Sequence, residues 1–209
     1  MRSTKLLPGP DTPRPGLRQR KKARTRAAIQ EHALRLFGEQ GYNETTVEEI
    51  ADAAEVSPST FFRYFSTKED VVLYDALDPV LLAAFEAQPA NLSLVGAFRA
   101  TMREVFAGAT SGARTQQDER AALIVAVPEL RMRMLDELTR TMLLLADVVA
   151  RRAGRNPEDP AVRALVGAVL GIGIAALFNA SGGIASDYLD LMDEGLAELE
   201  AGFPALRRA

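Results

Sequence analysis

The chain has no cysteine, which excludes disulfides, thiolate nucleophiles and cysteine-ligated metals, and its single histidine, His32, cannot build a histidine metal site. It has no glycine-rich phosphate loop and no paired carboxylates in an apolar setting, so the equipment of nucleotide-dependent and acid–base enzymes is missing. The opening MRSTKLLPGPDTPRPG lacks the apolar run of a signal peptide. Ala164 to Phe178 carries no charge for fifteen residues, short of the roughly 18 that a transmembrane helix needs, and reads as a buried helix. No strand pattern stands out beyond residue 45. These absences lead us to expect an all-α cytoplasmic protein that is not an enzyme and uses no cofactor, metal or membrane.

At 209 residues and 47% hydrophobic content, the chain can bury a substantial core in one or two domains. Its net charge of −3 hides a segregation. Residues 1–30 hold nine Arg and Lys against Asp11 alone, a balance of +8, which leaves −11 for the other 179 residues. A positive end on an acidic body orients that end toward a polyanion. Residues 1–17, rich in proline and glycine, predict a disordered tail, and the basic run Arg18 to Arg26 predicts an arm that contacts phosphate or the minor groove.

The densest punctuation lies between Thr45 and Val71. Thr46 and Glu49 form a capping box, after which Val47, Ile50, Ala51 and Ala54 follow at helical spacing. Ser57 is a second N-cap with Pro58 at the first helical position, where its missing N–H costs nothing. Only Glu55 and Val56 separate the two helices, so they must cross steeply. Phe61 and Phe65 face inward and leave Ser59, Thr60, Arg63 and Tyr64 outside. Arg63 can bond guanine edges, the hydroxyls can reach bases or phosphates, and the Tyr64 phenol can reach a phosphate oxygen. A first helix with Ile29, Ala33, Leu36 and Phe37 on one face ends at Gly41, and Ile29, Phe37, Val47, Ile50, Phe61 and Phe65 should make a small core.

Thr46-Val47, Ile50-Ala51, Ala54, Val56-Ser57, Thr60-Phe61 and Tyr64-Phe65 followed by Lys68-Glu69 resemble the DNA-binding domain of the TetR family of bacterial transcriptional regulators. The resemblance runs from about Arg24 to Tyr74. It implies that Lys68 contacts phosphate, and the expected DNA-contacting set is Arg24, Thr45, Thr46, Ser57, Pro58, Ser59, Thr60, Arg63, Tyr64 and Lys68. Glu55 stands where the family usually has glycine, so a positive φ there would cost on the order of 1 kcal/mol. Phe62 stands where the family often has a tyrosine and cannot make that hydroxyl's phosphate contact.

Beyond the reader, Ser66 with Glu69 predicts a cap for a helix running toward Gln88 with a break at Asp78-Pro79. Helices are expected over Ser93 to Gly108, Gln117 to Val127 and Pro128 to Arg152, with residues 109–116 a loop. Gly167, Gly171 and Ala175 form a small-residue stripe that lets another helix come close, and Ser186 should cap a last helix with Leu189, Met192, Leu196 and Leu199 on one face. The domains are then a tail (1–17), an N-terminal three-helix helix-turn-helix domain (18–66) and an α-helical ligand-binding and dimerisation domain (67–209).

Phe98, Met102, Phe106, Leu123, Met134, Leu138, Met142 and Phe178 are the candidates to line an apolar pocket, and Arg99, Arg103, Arg120 and Arg131 could meet a carboxylate or phosphate. The reading is a homodimeric, ligand-responsive repressor released from a palindromic operator by an apolar small molecule. The alternative is a protein that sequesters apolar molecules without specific DNA readout.

Overall fold

The computed structural model describes residues 16–74, 78–108, 110–180 and 184–204, and among these it contains helices and no strand. The predicted tail falls almost wholly on residues 1–15, outside the described set. Helix α1 (Leu17–Gln40) begins earlier than expected, with Gln19 accepting a hydrogen bond from the Gly16 amide at its start. The basic run is therefore not an arm ahead of the helix but its first turns, exposed through Arg24 and partly buried at Arg26. Lys, Arg, Gln and Ala are good helix formers and need no packed face to continue a helix already nucleated.

Helix α2 (Val47–Ala53) and helix α3 (Pro58–Tyr64) carry the two expected caps: Thr46 and Glu49 bond reciprocally, and Ser57 accepts from the Thr60 amide. Between them Glu55 adopts φ 52°, and Val56 donates to Ala51 O at 2.9 Å. That is a left-handed helix terminus, the conformation for which glycine is favoured. Helix α4 (Lys68–Leu73) is capped by Thr67 with Asp70, one residue later than the expected Ser66 with Glu69. The shift leaves Glu69 free to accept from the Tyr42 hydroxyl at 3.0 Å, while Val71 and Val72 enter the core at zero exposure.

The head core comprises Ile29, Ala33, Leu34, Phe37, Tyr42, Ile50, Ala51, Phe61 and Phe65, with Val47 partly buried against it. It does not stop at residue 66, because Val71, Val72, Ile124 and Leu130 belong to the same cluster. Apolar packing thus crosses the expected domain boundary.

The body holds helix α5 (Asp78–Ala87), α6 (Leu94–Ala107), α7 (Ser111–Ala126), α8 (Pro128–Ala153), α9 (Pro160–Asn179) and α10 (Ile184–Ala201). The single broken helix expected from Thr67 to Gln88 is two helices, α4 and α5, and residues 75–77 lie outside the described set. Most of the expected loop at 109–116 is the first part of α7, whose N-cap Thr110 accepts from the Ala113 amide at 3.2 Å. Ser186 lies inside α10 rather than at its cap.

Helix α9 is twenty residues rather than fifteen, long and apolar enough by composition to cross a membrane. Val162, Val166, Val169 and Ala176 are buried in the body core, and the helix packs between α8 and α10. Within the chain its closest approach is made not at the expected Gly167 and Gly171 but at Gly195 of α10. A Cβ there would come within 2.6 Å of Ile172 Cγ2, whereas a Cβ at Gly167 or Gly171 would meet nothing within 4 Å.

Candidate DNA interface and ligand cavity

Helix α3 presents Ser57, Pro58, Ser59, Phe62 and Arg63 to solvent, with Thr60 and Tyr64 half-buried. The Ser57 hydroxyl lies 2.9 Å from both the Ser59 and Thr60 hydroxyls, so the N-terminal turn carries a connected hydroxyl cluster. Arg63 is placed 5.5 Å from the Tyr64 ring centroid, and the Phe62 ring stands edge-on to Phe61 at 5.4 Å. Arg63 therefore keeps its fork of donors in solvent while its plane rests near an aromatic face. The helix itself is fixed from behind by Arg26, which donates to Tyr64 O at 3.0 Å and lies 4.5 Å from the Tyr74 ring centroid.

Four residues of the expected DNA set, Arg24, Thr45, Thr46 and Lys68, lie outside α3 and its cap. Thr45 is 1% exposed and donates to Gly41 O at 2.8 Å, so it is turned into the head and corrects the expectation of a DNA contact. Arg24 is exposed on α1. Lys68 directs its ammonium to Tyr42 O at 2.8 Å and Thr45 O at 3.0 Å, over the Tyr42 ring at 4.3 Å. Two of its three N–H groups thus fasten the turn before α2, leaving one for a phosphate. Thr46 is exposed but holds Glu49, whose carboxyl is kept below its usual range by the Thr46 backbone amide and then the Thr46 hydroxyl. Burial, followed by the bond to Glu69, pushes the Tyr42 phenol well above its usual value, so it stays a neutral donor.

The body holds a cavity of about 360 Å³, partly open to solvent and within the range of small-molecule pockets. Phe98, Met102, Phe106, Met134 and Leu138 line it as expected. Leu123, Met142 and Phe178 do not: Leu123 packs on the head core, while Met142 and Phe178 are 41% and 45% exposed. Helical spacing alone could not separate a side chain facing the hollow from one facing outward two residues away. Phe85 of α5, one of the apolar residues that the sequence offers for such a pocket, lines it too, whereas sequence reasoning missed Leu81 and Leu82 of α5 and the walls from α9 and α10, notably Leu170, Ile174, Tyr188 and Met192.

Of the four candidate arginines, Arg99 and Arg103 are bound to Asp193, and Arg131 donates to Val125 O. Arg120 is 7% exposed and, among the described residues, is the one charged residue that lines the cavity. Its Nε donates to Val72 O at 2.8 Å, its Nη2 to Leu73 O at 3.4 Å and its Nη1 to Gln117 Oε1. From the other side Gln30 Nε2 donates to Val71 O and to Tyr74 O, both at 2.8 Å. The carbonyls at the end of α4, which have no partner within the helix, are thus shared between the head and the body.

A tightly joined pair of capped helices on a basic first helix, joined to a hollow helical body, defines a helix-turn-helix DNA-binding regulator. Residues 29–74 match the model of the bacterial regulatory proteins of the TetR family, and residues 92–204 match that of the MftR C-terminal domain. The chain is 41% identical over 152 residues to the HTH-type transcriptional regulator TcmR of Streptomyces glaucescens, covering 69% of this chain and 67% of that one. Its fold is shared with the TetR-family repressor FadR of Thermus thermophilus, solved with lauroyl-CoA (TM-score 0.53, 24% identity, 88% of this chain and 97% of that one). SmeT, the repressor of the Stenotrophomonas maltophilia efflux pump SmeDEF, is similar too (TM-score 0.53, 17% identity, 82% and 88%). The chain belongs to the TetR family of transcriptional regulators.

Proposed function

We propose that the chain is a cytoplasmic, homodimeric repressor without enzymatic activity, released from a near-palindromic operator when an apolar small molecule fills the body. The observation that carries this reading is the attachment of one short helix, α4, to both the reading head and the cavity wall. A ligand that reshapes the cavity tilts α4 and with it the spacing of the two heads. To change operator affinity 150-fold it must prefer the released state by about 3 kcal/mol.

Dimerisation is supported by the outward face of α9, where Ala164, Gly171, Ala175 and Phe178 are exposed and the glycines leave room for a second helix. Two helix-turn-helices related by a two-fold axis then read half-sites about one helical turn apart, through Arg63 and the α3 hydroxyls, with Arg24 and Lys68 on phosphates.

Selection of bound duplexes from a random library with purified protein, followed by sequencing, tests the reading. A two-fold symmetric motif is expected, and it supplies the probe for finding inducers by loss of binding. No enriched motif, with binding that vanishes as salt rises, would overturn it in favour of an apolar binding protein without specific readout.

A further inference from the structure

We infer that Phe62 is a base-reading residue, which recognises a thymine in each half-site through the methyl group on C5 of the base. The inference rests on α3 being the reading helix, and it adds to Arg63 a second, apolar determinant of operator sequence. Among the described residues of the head, Leu17 and Phe62 are the large apolar side chains more than half exposed, Phe62 at 53%. Leu17 stands at the far start of α1, whereas Phe62 lies within α3, directly before Arg63. Pro58 and Ser59, its neighbours on the preceding turn, are exposed as well. The ring therefore belongs to the same surface as Arg63 and the hydroxyl cluster at the start of the helix.

A phenyl ring has no hydrogen-bonding atom to give to a phosphate or to a polar base edge. The apolar group that the major groove presents is the thymine methyl, and contact with it is open to a phenylalanine. A cytosine in that place lacks the methyl and presents an amino donor, which is left without a partner under the ring. The ring is also held in position. It stands edge-on to Phe61 at 5.4 Å and 85°, and Phe61 is at zero exposure in the head core. A side chain already backed by a buried ring loses little freedom when it meets a base. Arg63 and Phe62 thus offer adjacent polar and apolar contacts, a guanidinium for a guanine edge and a ring for a thymine methyl.

The test uses the full-length protein and the duplex selected from the random library, synthesised with deoxyuridine in place of thymidine at one symmetric pair of positions at a time. Uracil keeps every hydrogen-bonding group of thymine and lacks only the methyl. Fluorescence anisotropy titration at fixed salt should find one thymine per half-site whose replacement weakens binding about fourfold in one half-site and about fifteenfold in both, the scale of burying one methyl group. In Phe62→Ala the thymine and uracil duplexes should bind alike within about twofold, because the two changes remove the same contact. Phe62 is exposed, so this variant should melt with the wild type, and the wild-type uracil scan decides even without it. A scan with no methyl-sensitive position overturns the role of Phe62 and leaves the symmetric operator standing. A uracil penalty of the same size in Phe62→Ala does so too, by assigning the methyl to another side chain. Failure of the selection to enrich any motif overturns the reading helix itself, and with it the inference.

Discussion

The head and the body of this molecule are packed differently. Ile29, Ile50 and Phe61 are at zero exposure in the core of α1 to α3, which continues through Val71 and Val72 of α4 to Ile124 and Leu130, whereas six body helices surround a hollow of about 360 Å³. A solid reader holds its base-facing side chains at fixed spacing, while a hollow body keeps alternative packings within reach. Between them stands α4, six residues long and too short to be stable alone, so its position is set by whatever holds its ends. The difference teaches that the responsive part of the chain is the seam, where Gln30 and Arg120 grip neighbouring carbonyls.

The largest effect should come from breaking the solid half. Phe61→Ala removes a fully buried ring touching Phe62 and Phe65 and is expected to cost about 3–5 kcal/mol. Phe98→Ala, at the wall of an existing hollow, should cost less, toward the lower end of that range at about 3 kcal/mol, because one side of the ring already faces the cavity. Denaturant melts of both variants check this, and equal losses would mean that the body is packed as tightly as the head. Gln30→Leu comes next: Val71 O and Tyr74 O lose their side-chain partner, at about 1–3 kcal/mol. If the seam is the responsive part, this variant should also loosen operator binding without any ligand, which gel-shift titration measures.

Within the head, Arg63→Ala should leave the melt unchanged and relax base preference at one position per half-site by about 1–3 kcal/mol. Lys68→Ala should weaken all sequences alike and also lower the melting temperature, because two turn carbonyls lose their donor. Binding to a panel of operator variants separates the two. Loss of discrimination from both would contradict the division between Arg63 and Lys68.

How much of this was legible follows from where the sequence is punctuated. Thr46 with Glu49, and Ser57 with Pro58, marked their helices because a cap is a local bond between residues three apart. Ser66-Thr67-Lys68-Glu69-Asp70 contains two overlapping boxes, and only burial of Val71 and Val72 selects the second. The start of α7 was hidden because residues 111–119 bury no apolar side chain, although Thr110 carried the signal of a cap. The cavity-lining set was legible in residue type but not in direction. The shared carbonyls of α4 were beyond reach, since Gln30 and Arg120 meet Val71 and Val72 across 41 and 48 residues of chain.

The smallest expected effect sits on the far seam of the body, where α10 meets α6. Arg99 Nε and Nη2 each lie 2.9 Å from an oxygen of Asp193, Arg103 adds a contact at 3.0 Å, and Arg99 also reaches Glu200 at 3.4 Å. The bond from Arg99, ahead of that from Arg103, holds the Asp193 carboxyl below its usual range. A carboxyl depressed in the folded state stabilises fully above its unfolded value of about 3.9 and loses that contribution as pH falls through the lower folded value. Asp193→Asn should therefore melt below the wild type at pH 7, by about 1 kcal/mol or less, since the group is partly exposed and screened. The gap should narrow toward pH 3. A gap that stays constant would show that α10 is held to α6 by packing alone, and the body would then have no ionic clasp to set against the carbonyl grip at α4.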